Sequence, residues 1–302
     1  MFDLRKLLVD VFEPQEGERV QVVVDAPTER VPDHDDWRAR REMAQEWRDT
    51  FEALGRERGF DVEPLLTFPA SGANNADLPG SGRRGGEEVP LQETLLDATL
   101  VVAMTQFSAT APLAHLAEQK EDFRAASMPG VLKRMERSAL AADYAKVASR
   151  CRAIDEVMRP AQCCDVLFST GHRCWFDLRD RHSEVDDGHL PRFKPGDRII
   201  NLPSGETFKV PYEGEREGQP SWTAGSIPVA AEQGPIVFHV SGNRIVEVAG
   251  EGPAAEHYRR HFAEDPARAN VAEVAFGVND RAEVRGSVIE DEKAGFHWAF
   301  GR

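Results

Sequence analysis

Positive charge is the first scarcity in this sequence. Of 302 residues, 37 are Lys or Arg and 52 are Asp or Glu, a formal net charge of −15. Binding phosphate needs a basic face, so nucleic acid and anionic membrane are excluded as main partners. Lys is rarer still, with seven of the 37, and an acidic, Lys-poor, Arg-rich chain fits a high-GC or salt-adapted source. Long apolar runs are missing too. None approaches the roughly 18 residues of a membrane helix. The opening Met-Phe-Asp-Leu-Arg-Lys-Leu-Leu-Val-Asp-Val is too short and too charged for a secretory signal, so the cytoplasm is the expected compartment. The four Cys (Cys151, Cys163, Cys164, Cys174) have no metal-knuckle spacing, and in that compartment they are expected to be reduced. No internal repeat and no low-complexity tract occurs. What remains is an ordinary globular composition, 41% hydrophobic, long enough for two domains or one large one.

The first half alternates strand-like and helix-like segments. Val20–Asp25 is a β-branched run that reads as a buried strand. Residues 35–58 carry Trp37, Met43, Trp47, Phe51 and Leu54 at helical spacing and predict an amphipathic helix ended by Gly59. Residues 60–68 read as extended, and 69–86 as a breaker-rich loop. A helix end near 93–97, a strand at 98–107, a helix near 112–120 and a long helix from Val131 to Met158 follow. This rhythm predicts an α/β domain with an open, mostly parallel sheet over residues 1–158. After Pro160 short strands dominate, at 165–169, 174–178, 198–202, 207–210, 235–240 and 244–248, with one amphipathic helix near 253–263. Residues 159–302 are therefore expected to form a mixed, β-rich α+β domain.

Three segments carry candidate chemistry. In Asn201-Leu-Pro-Ser-Gly-Glu206 a turn sets a carboxylate between two apolar strand pieces, and Gly205 permits the tight bend. The carboxylate could face a cleft or sit solvated on a hairpin. Glu273 lies among apolar neighbours in a strand-like stretch. There it is either solvent-facing or, if buried, in need of a cation or hydrogen-bonded partner. The terminal stretch places Asp291, Glu292 and His297 together, and Glu292 and His297 are both possible metal ligands or acid/base groups.

Together these segments resemble the thermophilic-type metallo-aminopeptidases, the aminopeptidase T and aminopeptidase S group. That family pattern is N-x-P-x-G-E-x-F-x-x-P, then A-E-x-x-x-G-x-N, then D-E-K-x-G-x-x-H-x-A-x-G. Here these read Asn201-Leu-Pro203-Ser-Gly205-Glu206-Thr-Phe208-Lys-Val-Pro211, Ala272-Glu273-Val-Ala-Phe-Gly277-Val-Asn279 and Asp291-Glu292-Lys293-Ala-Gly295-Phe-His297-Trp-Ala299-Phe-Gly301. The last is one residue shorter than the commoner form between Gly and His. Ser127–Gly130 and Ala141–Tyr144 also resemble the family, and the resemblance covers about residues 98–302.

The resemblance implies a metal-dependent aminopeptidase acting on short peptides, with two divalent ions in the C-terminal domain. Glu206, Glu273, Glu292 and His297 match its metal-ligand positions, and Zn, Co or Mn suits such a donor set. It implies hydrolysis by a metal-activated water, with Glu206 accepting the proton, and a homodimer. In the family a Tyr and an H-x-D pair follow the D-E-K segment. They fall beyond Arg302, so the expectation is a truncated member with an incomplete site. Two alternatives stand beside the hydrolase. One is a related non-haem iron, ring-cleaving dioxygenase of the dihydroxypyridine type. The other is an inactive truncated member serving as a binding protein. His34, His172, Asp177, His182 and His189 are set aside as ligands, His34 because N-capping explains it better.

Overall fold

The computed structural model describes residues 2–232 and 234–301. In chain order the elements are α1 (Leu4–Phe12), β1 (Arg19–Ala26), α2 (Asp35–Arg58), β2 (Asp61–Val62), β3 (Leu66–Pro69), β4 (Ser81–Arg84) and β5 (Glu87–Pro90). Then come α3 (Leu91–Leu96), β6 (Leu100–Met104), α4 (Thr110–Gln119), β7 (Arg124–Ser127) and α5 (Tyr144–Met158). They are followed by β8 (Cys163–Leu167), β9 (Arg173–Asp177), β10 (Glu184–Asp186), β11 (Ile199–Asn201), β12 (Glu206–Lys209), β13 (Ala224–Val229), β14 (Ile236–Ser241) and β15 (Arg244–Ala249). The chain closes with α6 (Pro253–Glu264), β16 (Val271–Gly277), α7 (Val288–Asp291) and β17 (Phe296–Phe300).

Two compact units result, and neither is a contiguous half. The first is Met1–Cys151 with Asp186–Glu206 and Val278–Gly295, and the second is Arg152–Val185, Thr207–Gly277 and Phe296–Arg302. This departs from the expected division at residue 158. The cause lies in pairing: β11 joins β7 in parallel register, Ile199 opposite Ala125, and so belongs to the first unit's sheet.

The first unit is α/β. Its sheet runs β11-β7-β6-β1-β3-β4-β5, with β2 also on β1. The pairs β11–β7, β7–β6, β6–β1 and β1–β3 are parallel, and β3–β4–β5 turn back antiparallel. Val20, Val22, Val23 and Val24 of β1 are all at most 1% exposed, because helices cover both faces of a parallel sheet and its strands become continuous apolar runs. Helix α2 spans the expected 24 residues, capped by the His34 side chain, which accepts from Trp37 N, and closed by Gly59 at φ 80°. A buried ion pair, Arg124 with Glu18, ties β7 to the segment before β1.

Two expectations for this unit fail. Residues 81–90, inside and just after the expected loop, form the β4–β5 hairpin. The long helix expected from Val131 does not form: two short 3-10 turns, Lys133–Arg137 and Ala139–Ala141, precede α5. Ser138 adopts φ −124°, ψ −116° there, and its hydroxyl is held by the buried Glu290, so a tertiary hydrogen bond outcompetes helical propagation.

The second unit is β-rich, as expected. One antiparallel sheet runs β15-β14-β13-β9-β8 and a second runs β10-β12-β16-β17. Between them Phe176, Phe238, Val271 and Val274 form a buried cluster against which Phe296, Trp298 and Phe300 of β17 pack. The Phe238 ring meets Tyr258, Phe262, Trp298 and Phe300 edge-on at centroid distances of 5.1, 5.8, 5.8 and 6.1 Å. That aromatic packing fixes β17 in place. Among the described residues no Cys is in a disulfide, and burial pushes the Cys164 and Cys174 thiols up to about 11 and about 12, so both are inert. Among the described residues, no helix is long and apolar enough to cross a membrane.

Candidate metal centre

The first unit carries the carboxylates of the two outer motifs. The Pro203-Ser204-Gly205 turn is not a hairpin: β11 before it and β12 after it lie in different sheets. Gly205 has φ 125°, and a Cβ there would stand 2.8 Å from Val147 Cγ1 and 3.0 Å from Asn279 Cβ. The bend therefore requires glycine, both for its backbone angle and for its lack of a side chain. Glu206 emerges from this bend only 6% exposed.

The acidic run Glu290-Asp291-Glu292 resolves into three roles. Glu290 is fully buried and accepts from Ser138 and Arg134. Asp291 holds a loop by accepting from Arg285 N and Gly286 N, each at 2.8 Å. Glu292 is left for the centre, its oxygen 2.8 Å from Lys293 Nζ. Asn279 joins these segments: its backbone N–H donates to Lys293 O at 3.0 Å, and its side-chain amide donates to Ser204 O at 3.0 Å and Ala139 O at 3.1 Å.

Lys293 is the hub. It is wholly buried, forms a short ion pair with Glu206, pairs with Glu292, and lies 3.8 Å from Asp186. Burial alone would lower its pKa, but the charges of Glu206, Glu292 and Asp186 more than reverse this and hold it above the ordinary lysine value. Asp186 braces the turn from behind. It accepts from Ser204 Oγ and from Asn201 N at 3.2 Å, while its backbone carbonyl accepts from Gly205 N at 3.0 Å. Burial pushes its carboxyl up to about 7, opposed by Lys293 and reinforced by Glu206. Three carboxylates thus gather around one ammonium in a largely buried place, where burying charge is costly unless cations or protons balance it.

The second unit supplies the other two candidates. Glu273 on β16 and His297 on β17 lie on paired antiparallel strands, Glu273 opposite Ala299 and Ala275 opposite His297, with an irregularity between Val271 and Glu273. Being diagonal neighbours on one face, they meet: His297 Nε2 is 3.2 Å from Glu273 Oε1. Both are half-buried, at 18% and 27% side-chain exposure. Thus the four candidate ligands fall in two pairs, Glu206 with Glu292 in the first unit and Glu273 with His297 in the second. The expectation that all lie in a C-terminal domain does not hold. Imidazole and carboxylate are the donors that borderline divalent ions take, so each pair fits a metal chemically.

A cleft of about 510 Å³ opens beside Glu292 in the first unit, lined also by Asn75, Gln106, Ser108, Thr110 and Asn201. These residues follow or end strands β3, β6 and β11. The carboxyl edge of a parallel sheet is where such folds place ligands.

The residues set aside on sequence grounds have other work. His34 caps α2, His172 bonds Thr170 at 2.9 Å, and Asp177 accepts from Arg179 Nε at 2.9 Å and Trp222 N at 3.0 Å. Sequence reasoning missed Asp186 and Lys293. Asp186 sits in an acidic stretch that reads as a solvated loop. Lys293 did stand in the D-E-K motif, and its scarcity as a residue type was the available signal.

No protein-family model matches the chain, and no curated protein matches it in sequence. Solved structures do match. The 2,5-dihydroxypyridine dioxygenase from Pseudomonas putida KT2440 is 16% identical, with a TM-score of 0.65 over 97% of this chain and 81% of its own. Wild-type AmpT (aminopeptidase T) from Thermus thermophilus is 15% identical, with a TM-score of 0.59 over 99% of this chain and 85% of its own. At such identities the likeness shows the fold alone, a mixed α/β architecture with additional antiparallel sheets, and does not separate a hydrolase from an oxygenase.

Proposed function

We propose that this chain is a metal-dependent aminopeptidase that removes N-terminal residues from short peptides. The observation that carries the reading is the gathering of three carboxylates, those of Asp186, Glu206 and Glu292, around the buried Lys293. In this proposal Glu206 and Glu292 of the first unit and Glu273 and His297 of the second serve as ligands to divalent ions, as the resemblance implies. When bound, the ions would supply Lewis acidity and a water of lowered pKa.

The protein groups do the rest. Lys293 pairs directly with Glu206 and Glu292 and holds their carboxylates in place. The resemblance gives the proton-accepting role to Glu206. Glu292 also lines the cleft, so it is the carboxylate that can meet a substrate amine. Asp186 and Asn279 fix the turn and the Lys293 backbone, which holds the ligands where the fold puts them. The homodimer belongs to the same proposal and is tested by sedimentation.

The donor set also weighs against the oxygenase alternative. A mononuclear non-haem iron site needs only two His and one carboxylate, whereas the chain retains all four positions of the two-metal pattern, Glu206, Glu273, Glu292 and His297. The test is direct. Release of N-terminal residues from short peptides should disappear on exhaustive chelation and return with Zn²⁺, Co²⁺ or Mn²⁺. Hydrolysis that survives chelation refutes the proposal. Oxygen uptake with a hydroxylated pyridine under Fe²⁺ would establish the dioxygenase instead.

A further inference from the structure

The cleft beside Glu292 has an unusual lining. Its other polar side chains are amides and hydroxyls, and no Lys or Arg among the described residues lines it. Of its four carboxamides, that of Asn201 donates to Thr110 Oγ1 and Ser127 O, while those of Asn74, Asn75 and Gln106 are oriented by what they accept. Asn74 Oδ1 accepts from Ser108 N at 2.9 Å. Asn75 Oδ1 accepts from Ala111 N at 3.1 Å and from Ser108 Oγ at 3.0 Å. Gln106 Oε1 accepts from Arg40 Nη1 at 2.8 Å. A backbone N–H or a guanidinium cannot accept in return, so in each amide the oxygen must be the atom facing that donor. The NH₂ group is then turned the other way, and among the described residues none of the three amide nitrogens donates to the protein.

The array is rigid. Gln106 N donates to both oxygens of Asp25, at 2.8 and 2.9 Å, and Asp25 also accepts from Trp37 Nε1 at 2.9 Å. Arg40 behind Gln106 is 2% exposed and also donates to Val131 O at 2.7 Å. Its charge polarises the Gln106 amide and strengthens the outward N–H as a donor. Donors already held in place need no ordering when a ligand arrives.

We infer that Asn74, Asn75 and Gln106 form a subsite for the oxygen-bearing end of the substrate, a peptide carbonyl or a terminal carboxylate. The inference rests on the reading that Glu292 belongs to the metal centre. It sets a direction: the amine end lies at the carboxylates and the chain runs toward the amides. A cationic end placed at the amides would meet only donors and is rejected.

The test uses two conservative variants, Gln106→Glu and Asn75→Asp. Each keeps the oxygen that accepts from Arg40 or Ala111 N and replaces the outward donor with an acceptor. The full chain, held in chelator so that no peptide is turned over, is titrated calorimetrically with Ala-Gly-Gly and with its C-terminal amide, and metal content after Mn²⁺ reconstitution is assayed in parallel. Each variant should bind Ala-Gly-Gly at least about tenfold more weakly than wild type, with unchanged metal content. A smaller loss for the amide identifies the carboxylate as the group held, and an equal loss identifies a peptide carbonyl. Wild-type affinity in both variants, or no binding of either peptide by wild type, overturns the inference. Binding is read without turnover, so the two readings fail separately. Donor-dependent binding without hydrolysis sinks the aminopeptidase and keeps the subsite. Hydrolysis with binding indifferent to both variants does the reverse.

Discussion

Replacing Lys293 with Met tests the charge balance on which the metal reading depends. Met nearly matches the volume of the lysine stem but removes the ammonium from Glu206, from Glu292 at 2.8 Å and from Asp186 at 3.8 Å. Three carboxylates then share a largely buried place without that ammonium. Breaking a buried pair by deleting one partner costs about 3–5 kcal/mol. For a domain of this size each kcal/mol moves the midpoint by about 2–4 °C, so metal-free K293M should unfold about 10 °C below metal-free wild type. Divalent cation should reverse the order of effects. The variant's centre is more negative by one charge, so Mn²⁺ should bind it more tightly, and at about 1,000 times Kd binding returns about 4 kcal/mol. The assay is thermal unfolding by circular dichroism, with chelator and with Mn²⁺ at graded concentrations. A variant that melts within about 2 °C of wild type in chelator would refute the buried-charge argument, because the expected loss is several times that. A deficit that Mn²⁺ leaves untouched would refute the cation-binding half alone.

Further outcomes follow from the same geometry. Because burial raises the Asp186 carboxyl to about 7 from its ordinary value of 3.8, the folded state binds a proton that the unfolded state has released. The stabilising contribution is therefore full below about pH 4 and is lost as pH rises through about 7, a loss on the order of a few kcal/mol in metal-free protein. Asp186→Asn should flatten that slope in denaturant titrations. Gly205→Ala places a Cβ 2.8 Å from Val147 at φ 125° and should cost about 2–4 kcal/mol by equilibrium unfolding, with weaker metal binding because Glu206 is displaced. Arg124→Met leaves Glu18 buried at 0% exposure and should cost about 3–5 kcal/mol, while metal content stays at the wild-type level. His297→Ala should lower bound metal per chain by mass spectrometry under native conditions, and equal metal in variant and wild type would remove His297 from the ligand set.

What was legible in the sequence follows the range of the forces involved. Helix α2 and strand β1 were readable to within a residue or two because their signals are local: Trp37, Met43, Trp47 and Phe51 repeat at helical spacing, and the Val20–Val24 run is buried on both faces. His34 as a cap was readable for the same reason. The break at Ser138 was not, because its cause, Glu290, lies 152 residues away. The interleaving of the two units was equally hidden, since β11 looks like any short strand until it pairs with β7.

The candidate site divides along the same line. Glu206, Glu273, Glu292 and His297 could be singled out because each stands in a distinctive motif, although motifs do not say which of them meet. That Glu206 and Glu292 meet on Lys293, and Glu273 meets His297, comes from the sheet registers and the Gly205 bend. Asp186 was the hardest to read. In the string Glu-Val-Asp-Asp-Gly it is one acidic residue among three, and only its bonds to Ser204 and Asn201 N distinguish it. Its neighbour Asp187 illustrates the point: that side chain stays outside the network, accepting from Lys194 at 3.2 Å and His189 N at 3.0 Å. Two identical side chains, adjacent in sequence, point to opposite faces at the end of β10. One braces a candidate metal ligand and the other ties down a surface loop. Composition and motif treat the two alike, and strand register alone assigns them different chemistry.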